Sequence, residues 1–160
     1  MPMIDFTLPA GSFTPAVLDK LVSEMTSTLL GWEQVPVNDK GLGIAWVIVN
    51  EVPTGHLYVA GERAQKPYYR VMLRVPQGQL DDEHYAGVVR DVTKLIFDAE
   101  GGDHTEEDGI RVFVTLQEIL DGNWGIGGNV AWIDDINRYV EADEDRIEWG
   151  RKNLLTRQGR

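Results

Sequence analysis

Apolar and polar positions alternate with a period of two from residue 3 to residue 8, which places Ile4, Phe6 and Leu8 on one face of a strand. Leu8-Pro9-Ala10-Gly11-Ser12 closes that strand with turn-forming residues. Thr14-Pro15 reads as a helix cap followed by proline at the first helical position. Val17, Leu18, Leu21, Val22, Met25 and Leu29 then recur at helical spacing as far as Gly31, a stop signal. Residues 32–43, rich in Pro, Asn, Asp and Gly, read as a loop. Ile44 to Val49 is a nearly continuous apolar run with β-branched residues, the pattern of a strand buried on both faces. Glu51 to Gly61 is a turn that returns into a short extended segment.

The succession then repeats. A strand spans Tyr69 to Val75, and Val75-Pro76-Gln77-Gly78 turns. Asp81 can cap a helix from Asp82 to about Asp98, with Tyr85, Val88, Val89, Val92, Leu95 and Ile96 on its inner face. Gly101 to Gly109 is an acidic loop, Arg111 to Leu116 a strand, and Glu118 to Gly128 a glycine-rich turn. The repeat has a constant offset of 67: Pro9 answers Pro76, Gly11 Gly78, Val22 Val89, Glu51 Glu118, Gly55 Gly122 and Gly61 Gly128. Two copies make a duplicated unit rather than a solenoid. Each unit reads β-α-β, and a right-handed crossover makes its strands parallel. Together they predict an α+β fold, a four-stranded mixed sheet with two helices on one face. The other face carries Met3, Asp5, Thr7, Arg70, Met72 and Arg74, and burying its apolar part requires another subunit. The expected boundaries are a single domain over residues 1–131, with repeats at 1–66 and 67–131, followed by a charged helical extension over 132–160. In that extension Trp132, Ile133, Ile136, Tyr139 and Val140 have helical spacing.

Composition narrows the function classes. The chain has 160 residues, 42% of them hydrophobic, enough for one real core. A formal net charge of -11 argues against nucleic acid and against an anionic membrane surface as partners. With no cysteines there are no disulfides, thiolate metal sites or cysteine nucleophiles. His56, His84 and His104 lack metal-ligand spacing, and Gly125-Ile126-Gly127-Gly128 is not followed by the Lys-Ser/Thr of a phosphate loop. No apolar run reaches membrane-spanning length and the start lacks a signal-peptide layout, so a cytoplasmic protein is expected.

The candidate chemistry lies at Met1-Pro2. Removal of the methionine would expose a secondary amine. An α-amino group titrates near pH 8 when unperturbed, and burial lowers that value by disfavouring the charged form. Such a group can serve as a general base, or as a general acid if kept protonated.

The Met-Pro start, the duplicated β-α-β unit and the Glu-x3-Gly-x2-Gly-x-Gly-Gly frame of Glu118–Gly128, worn in Glu51–Gly61, together resemble the tautomerase superfamily. The likeness is to 4-oxalocrotonate tautomerases and malonate semialdehyde decarboxylases, with two fused units, and covers about residues 1–130. It implies the fold of macrophage migration inhibitory factor, a homotrimer, a catalytic Pro2, a small-molecule carboxylate substrate, and no metal or organic cofactor. At the offset of 67 Pro2 falls on Tyr69, so each chain carries one such amine.

Departures from the family pattern shape the expected site. Ser12 and Gln79 stand where an arginine often holds a substrate carboxylate. The arginine of the second strand falls on Trp46 and Phe113, with Arg111 two residues away on the same strand face. The aromatic of the glycine-rich turn is Leu57 in one half and Trp124 in the other. The implied substrate-binding set is therefore Arg70, Arg74, Arg111, Trp46, Phe113, Leu57 and Trp124, an apolar and aromatic pocket. Val35-Pro36-Val37-Asn38-Asp39 is similar to the loop with the catalytic aspartate of malonate semialdehyde decarboxylases, which makes Asp39 a second catalytic candidate; the arginine pair expected with it is Gln77 and Gln79. The leading expectation is a tautomerase with Pro2 as general base for keto-enol or double-bond isomerisation of a small 2-oxo or 2-hydroxy acid. One alternative is a hydratase, dehalogenase or decarboxylase of a 3-carbon acid with protonated Pro2; another is a catalytically lapsed oligomeric binding protein.

Overall fold

The computed structural model describes residues 2–158, with side chains through residue 155. Strand β1, Met3–Pro9, buries Ile4, Phe6 and Leu8 and turns the intervening residues outward. Helix α1, Pro15–Trp32, starts where the Thr14 hydroxyl accepts from the Val17 N–H, and it buries Leu21, Met25, Leu29 and Leu30. The expected loop that follows contains a one-turn helix, α2, Asp39–Gly43, nucleated by the Asn38 side chain accepting from the Gly41 N–H at 2.8 Å. Strand β2, Trp46–Val52, comes next. A small hairpin of β3, Tyr58–Val59, and β4, Glu62–Arg63, completes the first unit.

The second unit has the same parts. Strand β5 is Tyr69–Pro76, and α3 is Asp82–Glu100, capped by Asp81 accepting from the His84 N–H at 2.8 Å. A 3-10 turn, Glu106–Arg111, stands where α2 stands in the first unit. Strand β6, Val112–Ile119, leads to the hairpin of β7, Trp124–Ile126, and β8, Asn129–Ala131. Every element thus recurs at the offset of 67, including the pieces expected to be plain loop. The two-residue tips Ala60-Gly61 and Gly127-Gly128 all have positive φ, as the tightest hairpins require.

The sheet order is β2-β1-β5-β6. Strand β1 pairs parallel with β2, β5 parallel with β6, and β1 antiparallel with β5. Asp5 lies opposite Met72, its own repeat mate, so a pseudo-two-fold axis passes between them. Helices α1 and α3 cover one face, and the core between is built from β1, β5, α1 and α3. They approach so closely at Gly87 that a Cβ there would sit 2.3 Å from the Trp32 ring.

Strand β2 departs from the expected doubly buried strand. It lies at the sheet edge, and only Val47 and Val49 face the core, while Trp46 is 63% and Ile48 43% exposed. The apolar run reflects an outer face that the helices leave open. The C-terminal segment is helical, as expected, and forms two helices, α4, Ile133–Tyr139, and α5, Glu144–Gln158. The break falls where Glu141 adopts φ 62°. Among the described residues, no helix is long and apolar enough to cross a membrane.

Candidate active site

The pseudo-two-fold axis sends equivalent positions of the two units to opposite ends of the sheet. Pro2 is buried at the head of β1, and its carbonyl accepts from the Trp46 N–H at 3.1 Å. Met1, on whose removal the amine depends, lies outside the described residues. At the same end of the sheet, next to Met3 and without Pro2 in its wall, is a cavity of about 310 Å³ between the start of β1 and β2 and the β7–β8 hairpin, lined by Met3, Ile44, Trp46, Trp124, Ile126 and glycine backbone. It shares Ile44 and Ile126 with a second apolar hollow that extends towards Ile136 and Tyr139 of α4.

The repeat-related cavity at the other end, about 340 Å³, is lined by Thr7, Leu57, Tyr58, Val59, Tyr68, Tyr69, Arg70, Arg111 and Phe113. Leu57 answers Trp124, Arg70 answers Met3, Phe113 answers Trp46 and Arg111 answers Ile44. The expected site residues therefore fall into two groups. Trp46 and Trp124 wall the cavity at the Pro2 end; Arg70, Arg111, Phe113 and Leu57 wall the cavity headed by Tyr69. Arg74 lies between them on the outer face, paired with Asp5 and donating through Nε to Gln117 at 3.0 Å. Asp39 is exposed on the first turn of α2 and lines neither cavity.

Arg111 does not share the exposure of Phe113. It is 5% exposed, whereas Phe113 is 60% exposed. Its guanidinium donates to both Glu100 oxygens at 2.9 and 2.7 Å, to Asp108 at 3.1 Å and to the Pro67 carbonyl at 2.9 Å. The hydrogen bonds it donates to Glu100 raise the arginine above its ordinary value. Burial alone would raise Glu100, but the bonds from Arg111 outweigh it and hold the carboxyl below its usual range. The Tyr69 hydroxyl also donates to Glu100, at 3.3 Å, and burial followed by the Glu100 charge pushes that phenol well up.

At the Pro2 end the most unusual group is one that periodicity did not mark. Glu33 caps the C-terminus of α1, is wholly buried, and neither carboxylate oxygen has a hydrogen-bond partner among the described residues. Burial pushes it up to about 7, against the opposing pull of positive charge that includes Arg146. Arg146, from α5, is itself buried; it donates through Nε to the Glu33 carbonyl at 2.8 Å and through Nη2 to the Gln79 carbonyl at 3.0 Å and to the Gln79 side chain. Gln79 in turn donates to Asn137 of α4 at 3.2 Å. The position where a substrate-binding arginine was looked for is thus an anchor for the C-terminal helices. Three buried donors at this end have no partner among the described residues: Trp124 Nε1, Asn137 Nδ2 and Arg146 Nη1. The signal for Glu33 was present in the repeat, because the offset of 67 sets it on Glu100. Among the described residues, no cluster of three His, Asp or Glu side chains is arranged to hold a metal ion.

No protein-family model and no curated protein matches the sequence. Solved structures do match in shape. N1, a member of the cis-3-chloroacrylic acid dehalogenase (cis-CaaD) family, superposes with a TM-score of 0.68 at 14% identity over 94% of this chain and 99% of its own. That coverage is too great to leave out the C-terminal helices. Pt0534 inactivated by 2-oxo-3-pentynoate gives 0.67 at 17% identity, over 81% of this chain and 94% of its own. The F6 fused 4-OT wild type asymmetric trimer gives 0.66 at 15% identity, over 81% and 95%. With its paired β-α-β units, mixed sheet and one-sided helices, the chain has the tautomerase-superfamily fold.

Proposed function

We propose that the protein is an enzyme that isomerises a small 2-oxo or 2-hydroxy acid, using the amine of Pro2, freed by removal of Met1, as general base. The observation that carries this reading is the burial of Pro2 at the end of the sheet that holds an apolar, tryptophan-walled cavity. Apolar surroundings disfavour the charged amine, so a neutral base is available near pH 7. The amine would take a proton from an enol, or from the carbon next to a carbonyl, and return it at a conjugated position. Negative charge develops on the substrate oxygen in between. Trp124 is part of the cavity wall, and its Nε1, a buried donor without a partner among the described residues, is the group we assign to meet it. A cavity with Trp46 and Trp124 in its wall suits phenylpyruvate-like or 2-hydroxydienoate-like acids. The exposed Trp46, Ile48 and Phe113 on the outer sheet face support association of copies, and a homotrimer is our reading of it.

The likeness to N1 over nearly the whole chain favours a second reading, hydration, dehalogenation or decarboxylation of a 3-carbon acid by protonated Pro2. The direction of the pH-rate profile separates the two: activity that rises as the amine loses its proton supports isomerisation. The test begins with intact mass, to establish loss of Met1. Ketonisation of phenylenolpyruvate is then compared between wild type and Pro2→Ala, with a loss of about 100-fold or more expected for removal of a general base. Reaction with 2-oxo-3-pentynoate should add its mass to the wild type and not to Pro2→Ala. Retained Met1, or equal rates in the two proteins, would refute the proposal.

A further inference from the structure

Glu33 is a carboxylate that the fold buries without giving it a bond. Its repeat mate explains what is missing. Glu100 occupies the same place at the end of α3, and there it is held by Arg111 and by the hydroxyl of Tyr69. Tyr69 is the repeat mate of Pro2, Arg111 that of Ile44, and Asp108, the other carboxylate on Arg111, that of Gly41. The first unit has kept the carboxylate and lost the arginine. What it has in exchange, at the place of Tyr69, is the start of the chain.

We propose that Glu33 is the carboxylate partner of the Pro2 amine, accepting one N–H of the prolinium that forms when Pro2 takes a proton from substrate, while the other N–H returns the proton. This rests on the reading of Pro2 as the base. The neutral secondary amine carries one hydrogen; abstraction gives it a second, leaves the enolate, and places a full positive charge next to Glu33. Return of one proton to the conjugated carbon restores the neutral amine, and Glu33 is unchanged throughout. Its part is that of a positioning residue: it orients the nitrogen and stabilises the cation formed during the reaction.

The geometry on the other elements fits. Helix α1 runs back along β1, so its C-terminal end, where Glu33 stands, lies at the end of the sheet where β1 begins. The other charged groups at this end are Arg146 of α5, Asp143 just ahead of α5, and Asp81 at the head of α3, which also pairs with His84. Arg146 is the competing partner: its Nε donates to the Glu33 carbonyl and its Nη2 to Gln79, while its buried Nη1 has no partner among the described residues, and no ion pair joins it to the Glu33 carboxylate.

The test is the titration of the amine itself. Protein labelled with 15N-proline, with loss of Met1 verified by mass, is titrated by NMR for wild type, Glu33→Gln and Glu33→Met. Removal of the adjacent carboxylate should lower the Pro2 midpoint by about one unit or more in both variants. The acid limb of kcat/KM should move down with it, and the plateau kcat should fall by about tenfold. A Pro2 midpoint that stays put in both variants overturns the proposal and assigns Glu33 to Arg146. A midpoint that falls as expected in a protein whose Pro2→Ala variant is fully active leaves the pair standing and removes only its catalytic use. Retained Met1 overturns the pair and the base together.

Discussion

Replacing Glu33 by glutamine removes a charge that burial disfavours, and the gain in stability must depend on pH. Burial carries the folded-state value from 4.5 to about 7, and at 1.36 kcal/mol per unit this corresponds to a charging penalty of about 3 kcal/mol. The position at the carbonyl end of α1 acts in the same direction, since a helix C-terminus repels an anion. The sign follows from linkage. A carboxyl whose folded value is raised binds its proton more tightly in the native state than in the unfolded chain. The contribution of Glu33 to wild-type stability therefore falls as pH rises from 4.5 to about 7 and levels off above. Glutamine has no such titration. Its buried amide carries a cost of its own, but that cost does not change with pH. Urea unfolding of wild type and Glu33→Gln at pH 4 and pH 8, at one fixed protein concentration because association would shift the midpoints, isolates the effect. The variant should gain about 3 kcal/mol relative to wild type between the two pH values, or about 1.5 M in midpoint for a slope of about 2 kcal/mol per M. A difference between the proteins that is constant with pH, or that runs the other way, would show that the Glu33 carboxylate is solvated, or held as an ion pair by Arg146, in the folded protein.

Two further substitutions probe the frame around the site. Gly87→Ala places a Cβ 2.3 Å from the Trp32 ring, so overpacking of about 1–3 kcal/mol should outweigh alanine's better helix propensity; the thermal midpoint should fall by several degrees, and a rise would show that α1 and α3 are not in close contact there. Arg111→Met strips Glu100 of its bidentate partner and should cost about 3 kcal/mol at pH 7. Because Arg111 holds Glu100 below its usual range, that contribution is present above the ordinary carboxylate range and lost as pH falls, so the deficit should shrink towards pH 3; urea unfolding at both pH values checks it, and an undiminished deficit would exclude the ion pair as its source.

The fold was legible because the two units share one offset. Each strand and long helix announces itself by period, and the pairing of Gly11 with Gly78 or Glu51 with Glu118 fixes the duplication before any coordinate is seen. Periodicity cannot mark elements of two or three residues, so the β3–β4 and β7–β8 hairpins read as turns; only the positive φ at Ala60-Gly61 and Gly127-Gly128 makes them strands. The run Ile44–Val49 misled for a physical reason: an outer sheet face shows the same β-branched composition as a buried one. The candidate site residues were expected in one pocket, and the fold sets them in two places. The repeat states that Trp46 and Phe113 are equivalent, and equivalence under a two-fold axis means opposite ends of the sheet, which a linear offset does not express. Glu33 escaped because a glutamate near a helix end is an ordinary solvated residue in most sequences.

A duplicated fold makes two equivalent cavities, but a chain has one beginning, and that inequality accounts for how the copies have diverged. The second unit starts in mid-chain, where no α-amine can exist, and it closes its end of the sheet with Arg111, Glu100, Asp108, Lys66 and Tyr69, a network in which every charge has a bonded opposite. The first unit puts Ile44 and Gly41 where that network has Arg111 and Asp108, and seals the surroundings with α4 and α5 through Arg146 and Gln79. A buried carboxylate left in this way is costly for stability, and a cost of that kind persists where it serves a charge that appears during function. The same backbone therefore holds a satisfied ion cluster at one end and an unsatisfied carboxylate beside the chain start at the other. The difference between the two ends, more than the content of either, supports the assignment of the chemistry to Pro2 that we propose.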